Sequence, residues 1–145
     1  MAKTNHTRVG EALELLKDGL LPFVEREMRV LHGDGWTDVA RQSVPGNDRL
    51  VSRVKSLPRV DAHALLAIMW DQWNVVFKNT LGQAERSIVS ELRDTRNRWA
   101  HQEAINADDA YRSLDSIERL LLAISAGEQA AKVGESKHEL LRTKY

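Results

Sequence analysis

One short stretch of this 145-residue chain holds the residue types that proton transfer beside a phosphate requires: Arg96-Asn97-Arg98-Trp99-Ala100-His101. Histidine titrates near neutrality and can accept or deliver a proton. Arginine presents a permanently charged planar fork that suits phosphate. Asn97 can either orient the histidine or hold a phosphate oxygen. The position of Arg96 is itself unusual. With Leu92 set to zero on an ideal helix, Trp99 falls at about −20°, Ile88 at about −40° and Val89 at about +60°. Arg96 falls at about +40°, inside that apolar arc. An unpaired charge in a core is very expensive. Either the side chain runs out along its stem to water, or this stripe faces a groove or a second subunit. Arg98, four residues after Asp94, reads as an ordinary surface pair.

The rest of the chain offers few rivals. His6, His32, His63 and His138 form no HExxH-type ligand pair, Ser87 and Ser90 lack a GxSxG context, and no glycine loop could cradle a phosphate. With no Cys there is no disulfide framework, thiol nucleophile or thiolate metal site, which suits a reducing cytosol. No apolar run approaches the ~20 residues of a membrane helix, and the start lacks the apolar stretch of a signal peptide. Hydrophobic and charged contents of 42% and 29% are those of a globular domain, and the length indicates one.

Net charge is zero, 21 basic against 21 acidic residues, which taken alone argues against a nucleic-acid partner. Position changes that. Between residues 41 and 59, Arg41, Arg49, Arg53, Lys55 and Arg59 face only Asp48. This segment reads either as a solvated connection with one short helix or as an electropositive lip for a phosphate-bearing ligand.

The elements that must position the Arg96–His101 string are helical throughout. Val9, Leu13, Leu16 and Leu20 recur at helical spacing from a start near Thr7. Pro22 predicts a kink or restart, and His32-Gly33-Asp34-Gly35 a stop. Asp61 is the expected cap of a second helix, whose stripe of Leu65, Leu66, Ile68, Met69, Trp70, Trp73, Val76 and Phe77 reads as core. Asn79 or Thr80 should cap a third, carrying Leu81, Ala84, Ile88, Leu92, Thr95 and Trp99. Asn106 should cap a fourth, and a polar helix from Glu128 to about Leu141 closes the chain. Residues five apart lie ~140° apart on a helix, so Arg96 and His101 share a face only if the helix ends or distorts around Ala100. The expected architecture is all-α, a bundle of about four core helices in residues 1–127, with 128–145 a C-terminal helix.

Arg-Asn-x-x-x-His resembles the signature of the HEPN superfamily, an Arg and a His separated by four to six residues, often with Asn, Asp or His after the Arg. With 14 Arg and 5 His in the chain, a bare pair at this spacing is expected about once by chance, and Arg26 with His32 is such a pair. Demanding Asn after the Arg lowers the expectation to the order of a few hundredths, and Glu27 disqualifies the second pair. The surroundings are similar to the Swt-type HEPN subfamily over about residues 8–125. They include Glu85-Arg86-Ser87, Ser90-Glu91-Leu92-Arg93-Asp94, Pro22-Phe23-Val24-Glu25-Arg26-Glu27, Gly33-Asp34-Gly35-Trp36, Trp70-Asp71-Gln72-Trp73 and Asp109-Ala110-Tyr111-Arg112.

The resemblance implies a HEPN-like bundle acting as a metal-independent endoribonuclease, without a cofactor, in RNA surveillance or defence against phage. It implies Arg96, Asn97 and His101 as the catalytic set, and a homodimer that brings two motifs to one basic cleft. Arg93, Arg98, Arg49, Arg53 and Lys55 are the expected RNA contacts. Relatives of this type often stand at the N-terminus of large ATPases or helicases, and Glu139–Tyr145 reads as a helix cut mid-course, with 128–145 the start of a linker. Two further readings stay open: a non-catalytic HEPN module for dimerisation, RNA binding or control of an attached ATPase, and a plain helical adaptor. In either, His101 merely ends a helix, where a cation suits the dipole.

Overall fold

A computed structural model describes residues 3–44 and 61–144, and among them every regular element is helical. Helix α1 (Asn5–His32) starts two residues before the expected Thr7, because the Thr4 side chain accepts the Thr7 N–H. It runs unbroken through Pro22, so the expected restart does not occur. Leu20, Phe23 and Val24 are buried on either side of the proline, and their packing holds the helix where local preference would interrupt it. Gly33, at φ 62°, ends α1 and returns its N–H to the Arg29 carbonyl.

Helix α2 (Trp36–Gln42) buries Trp36 and Ala40, and Val44 follows them into the core. Residues 36–44, which lead into the basic 41–59 segment, are therefore anchored to the core; the rest of that segment lies outside the described residues. Helix α3 (Ala62–Asp71) is capped by Asp61, which accepts the Ala64 N–H at 3.0 Å. It stops before its apolar stripe does. The chain turns, and a 3-10 segment (Phe77–Asn79) follows, with Trp73, Val76 and Phe77 in the core. Phe77 packs on Phe23 of α1 at 5.9 Å between ring centroids.

Helix α4 (Gln83–Ala100) is capped at Gly82 instead of Asn79 or Thr80. Asn79 instead donates to the Val75 and Val76 carbonyls, while Glu85 reaches back to accept the Gly82 N–H at 2.8 Å. Helix α5 (Ala107–Ala123) has the expected cap, Asn106 accepting the Asp109 N–H at 2.7 Å. Helix α6 (Gly127–Lys144) buries Ala130, Val133 and Leu140, which makes it a packed part of the bundle.

Consecutive helices α3 to α6 pack in sequential pairs, and each also touches α1. The core runs along α1 through Val9, Leu16, Leu20 and Met28, meeting Leu65 and Met69 of α3, Leu92 of α4, and Leu114 and Ile117 of α5. Two polar devices fasten α6. Buried Arg8 donates to the Ser136 carbonyl and hydroxyl. Lys137 bridges Glu118 at 2.6 Å and Asp115 at 3.1 Å on α5. The Glu118 hydrogen bond outweighs burial and, with Asp115, raises the Lys137 pKa. Burial works against Asp115, yet the hydrogen bonds from Arg119 and Lys137 hold its carboxyl below the usual range.

Candidate functional site

Helix α4 ends at Ala100, around which the sequence allowed an end or a distortion. His101 closes the last turn with its N–H on the Asn97 carbonyl at 3.0 Å. Gln102 then adopts a left-handed conformation, φ 59°. Its N–H bonds the Trp99 carbonyl at 3.1 Å, and the Glu103 N–H bonds the Arg98 carbonyl at 3.0 Å. These two bonds are the Schellman pattern, usually built on glycine. A glutamine there carries steric strain of ~1 kcal/mol, set directly after the candidate histidine.

Trp99 secures this helix end from below. Its ring stacks on His6 of α1 with centroids 5.1 Å apart and planes within 14°. The indole Nε1–H donates to the His6 carbonyl at 3.0 Å, and His6 Nε2 donates to the Trp99 carbonyl at 2.9 Å. Gly10 makes the approach possible, since a Cβ there would meet the indole at 2.9 Å.

Arg96 resolves its conflict with the apolar arc by reaching sideways to α3. Its Nη2 meets Asp61 Oδ2 at 3.5 Å, and its side chain keeps 25% of its exposure. Asp61 thus caps α3 with one oxygen and receives Arg96 with the other. No hydrogen bond or ion pair joins Arg96 to His101 among the described residues. Asn97 and His101 are both exposed, and their side chains have no partner there. Asn97 touches His101 only through the backbone.

The other expected contacts divide. Arg93 lies over the Trp70 ring, 5.8 Å from its centroid. Arg98 faces the other way: it pairs with Asp109 of α5 at 3.5 Å rather than with Asp94. It lines a 240 Å³ cleft between α4 and α5, where Arg98 and Arg112 pair with Asp109 and Glu91 and Asp94 is the further carboxylate. Arg49, Arg53 and Lys55 lie outside the described residues.

Sequence reasoning missed two neighbours. His63 lies on α3 in the field of Arg96 and Arg93, and its Nδ1 is buried without a hydrogen-bond partner. Burial, reinforced by Arg96 and Arg93 and opposed by Asp61, pushes its pKa below the usual value. The available signal was that His63 is the one polar residue in Ala62–Trp70. Trp70, read as core, is 37% exposed. A group with a depressed folded pKa stabilises above its unfolded pKa and loses that contribution as pH falls through the folded one. The wild type should therefore lose stability relative to His63→Gln as pH falls below about 6.5. Urea midpoints of the two proteins between pH 7.5 and 5 measure this, and parallel profiles would exclude it.

No three of His, Cys, Asp or Glu gather as a metal site among the described residues. No helix there is long and apolar enough to cross a membrane. The all-α bundle, with an Arg-Asn-x-x-x-His string where one helix ends, is of the HEPN class expected from the sequence. The family model described as Swt1-like HEPN matches residues 11–125, and the chain belongs to that family. No curated protein and no solved structure matches it.

Proposed function

We propose that this domain is a metal-independent endoribonuclease whose catalytic groups are Arg96, Asn97 and His101. HEPN domains are typically ribonucleases or nucleotide-related, and they commonly dimerise and bind RNA. One observation carries the reading: among the described residues, Asn97 and His101 stand exposed and unpartnered at a strained helix end, beside an arginine whose one ion pair is with an exposed carboxylate. The Arg96–Asp61 bridge, with Asp61 58% exposed, is worth about 0–1 kcal/mol. A phosphate, offering a charge-assisted bidentate contact, competes for that guanidinium at little cost.

RNA carries its own nucleophile. His101 takes the 2′-hydroxyl proton as the O2′–P bond forms, and the P–O5′ bond breaks to leave a 2′,3′-cyclic phosphate. Arg96 and Asn97 hold the phosphoryl oxygens as charge develops on them. The departing O5′ needs a proton donor, and one chain offers a single exposed histidine at this site, since the neighbouring His63 is partly buried with its Nδ1 out of reach of solvent. His101 of the partner subunit supplies the proton in a homodimer with two motifs facing one cleft. Defence against phage or RNA surveillance, through an attached ATPase or helicase portion, is the setting that fits such an enzyme. The lack of any Arg96–His101 link within one chain favours one alternative, a non-catalytic module for dimerisation and RNA binding.

Purified protein incubated with RNA in excess EDTA should yield fragments ending in 2′,3′-cyclic phosphate, and it should sediment as a dimer. RNA that stays intact at enzyme excess would reject the nuclease in favour of the module. A strict monomer at high micromolar concentration would remove the shared cleft.

A further inference from the structure

The arginines of α4 and α5 fall into two groups. Arg96, Arg98, Arg112 and Arg119 each face a carboxylate, Asp61, Asp109, Glu91 and Asp115 respectively. Arg86 and Arg93 face none among the described residues. Both instead lie over the ring of Trp70 on α3, at 5.0 and 5.8 Å from its centroid. Arg86 Nε is buried without a hydrogen-bond partner. Trp70, Gln83, Arg86, Ser87 and Ser90 line an open cleft of 440 Å³. The carboxylates of α4 are turned elsewhere: Glu85 to the Gly82 N–H, Glu91 to Arg112 and Ser116, and Asp94 to the cleft beside α5.

The face of α4 that lines this cleft leads along the helix towards the catalytic string. Spacings of four, three and four place Arg86, Ser90, Arg93 and Asn97 within an arc of about 60° on α4. The stripe is about 16 Å long, the reach of a few nucleotides. It runs from the Trp70 indole to the exposed Asn97.

Resting on the nuclease reading, we propose that Trp70, Arg86 and Arg93 form a subsite for single-stranded RNA. A base stacks on the Trp70 indole, the flanking phosphates take Arg86 and Arg93, and the strand continues along α4 to Asn97 and Arg96. An exposed aromatic face between two cations without carboxylate partners matches the alternation of base and phosphate. A cation over an exposed ring is held weakly, whereas a stacked base is held more strongly, so the base displaces the guanidinium groups towards the phosphates. A duplex hides its base faces and offers nothing for the indole to stack on.

The test uses the full chain carrying His101→Ala, so that RNA stays intact, and a fluorescein-labelled nonamer of uridylate at low salt. Trp70→Ala should weaken binding at least about fivefold, and Trp70→Phe should keep most of it. Arg86→Gln with Arg93→Gln should lower the slope of log affinity against log salt by about 1–2. A blunt RNA duplex should bind Trp70→Ala and its parent alike. Nonamer binding by Trp70→Ala within twofold of the parent, an unchanged salt slope, or equal loss on duplex would overturn the subsite. Circular dichroism checks that each variant is folded. The two readings fail separately: Trp70-dependent binding by a wild type that cleaves nothing removes the nuclease alone. Cleavage with no dependence on Trp70 removes the subsite alone.

Discussion

Replacing His101 by Ala should lower RNA cleavage at least about a hundredfold while leaving the fold and RNA affinity nearly unchanged. General acid–base catalysis by one positioned group contributes about 10²–10⁴ in rate. In a dimer with a shared cleft the substitution removes both the base and the acid, which puts the loss towards the upper end. The structural cost is small because the imidazole is exposed and bonds nothing among the described residues. What His101 gives the fold is its backbone N–H on the Asn97 carbonyl, and alanine supplies that equally. Unfolding free energy should stay within ~0.5 kcal/mol of wild type, the usual range for surface changes. Single-turnover cleavage, urea denaturation and nonamer binding on the same preparation separate the effects. Cleavage at the wild-type rate by the variant would end the mechanism.

Trp99→Ala should do the opposite, damaging stability first and activity through it. The substitution removes the stack on His6, the hydrogen bond to the His6 carbonyl and the packing over Gly10. Buried Trp→Ala costs about 3–5 kcal/mol. Trp99 is only partly buried, so about 2–4 kcal/mol is expected, a large share of the stability of a domain this size. The Trp99 carbonyl receives the N–H of Gln102 and the Nε2 of His6, so the same anchor holds the turn that carries His101. Cleavage should fall even where the variant remains folded. Trp99→Phe keeps a stacking ring and loses the Nε1–H donor, and it should cost about 1 kcal/mol. Urea titrations of both variants, with cleavage measured well below the unfolding midpoint, check the ordering. A Trp99→Ala protein as stable as Trp99→Phe would mean the stack does not hold the helix end.

Much of the framework is local, and local features are legible. The all-α class and the caps at Asp61 and Asn106 follow from residues within about one turn of each other. The Arg-Asn-x-x-x-His string is visible for the same reason. The restart allowed for at Pro22 and the cap expected at Asn79 or Thr80 do not occur, because packing and the neighbouring Glu85 override the local preference.

What surrounds the string was decided only by the tertiary structure. Trp70 and Trp73 lie three residues apart in one apolar stripe, yet Trp73 is 4% exposed and Trp70 37%, because the helix stops at Asp71 and the turn swings only the second inward. Arg96 meets Asp61 across 35 residues of chain, and Arg98 meets Asp109 although Asp94 stands at the ideal helical spacing. His63, unremarkable in sequence, sits beside Arg96 because α3 and α4 pack together. Periodicity and capping specify which residues can form a helix and which face is apolar. Which charge finds which partner, and which aromatic ring stays in water, depends on the helix that lies across from it, and that is a property of the packed bundle alone.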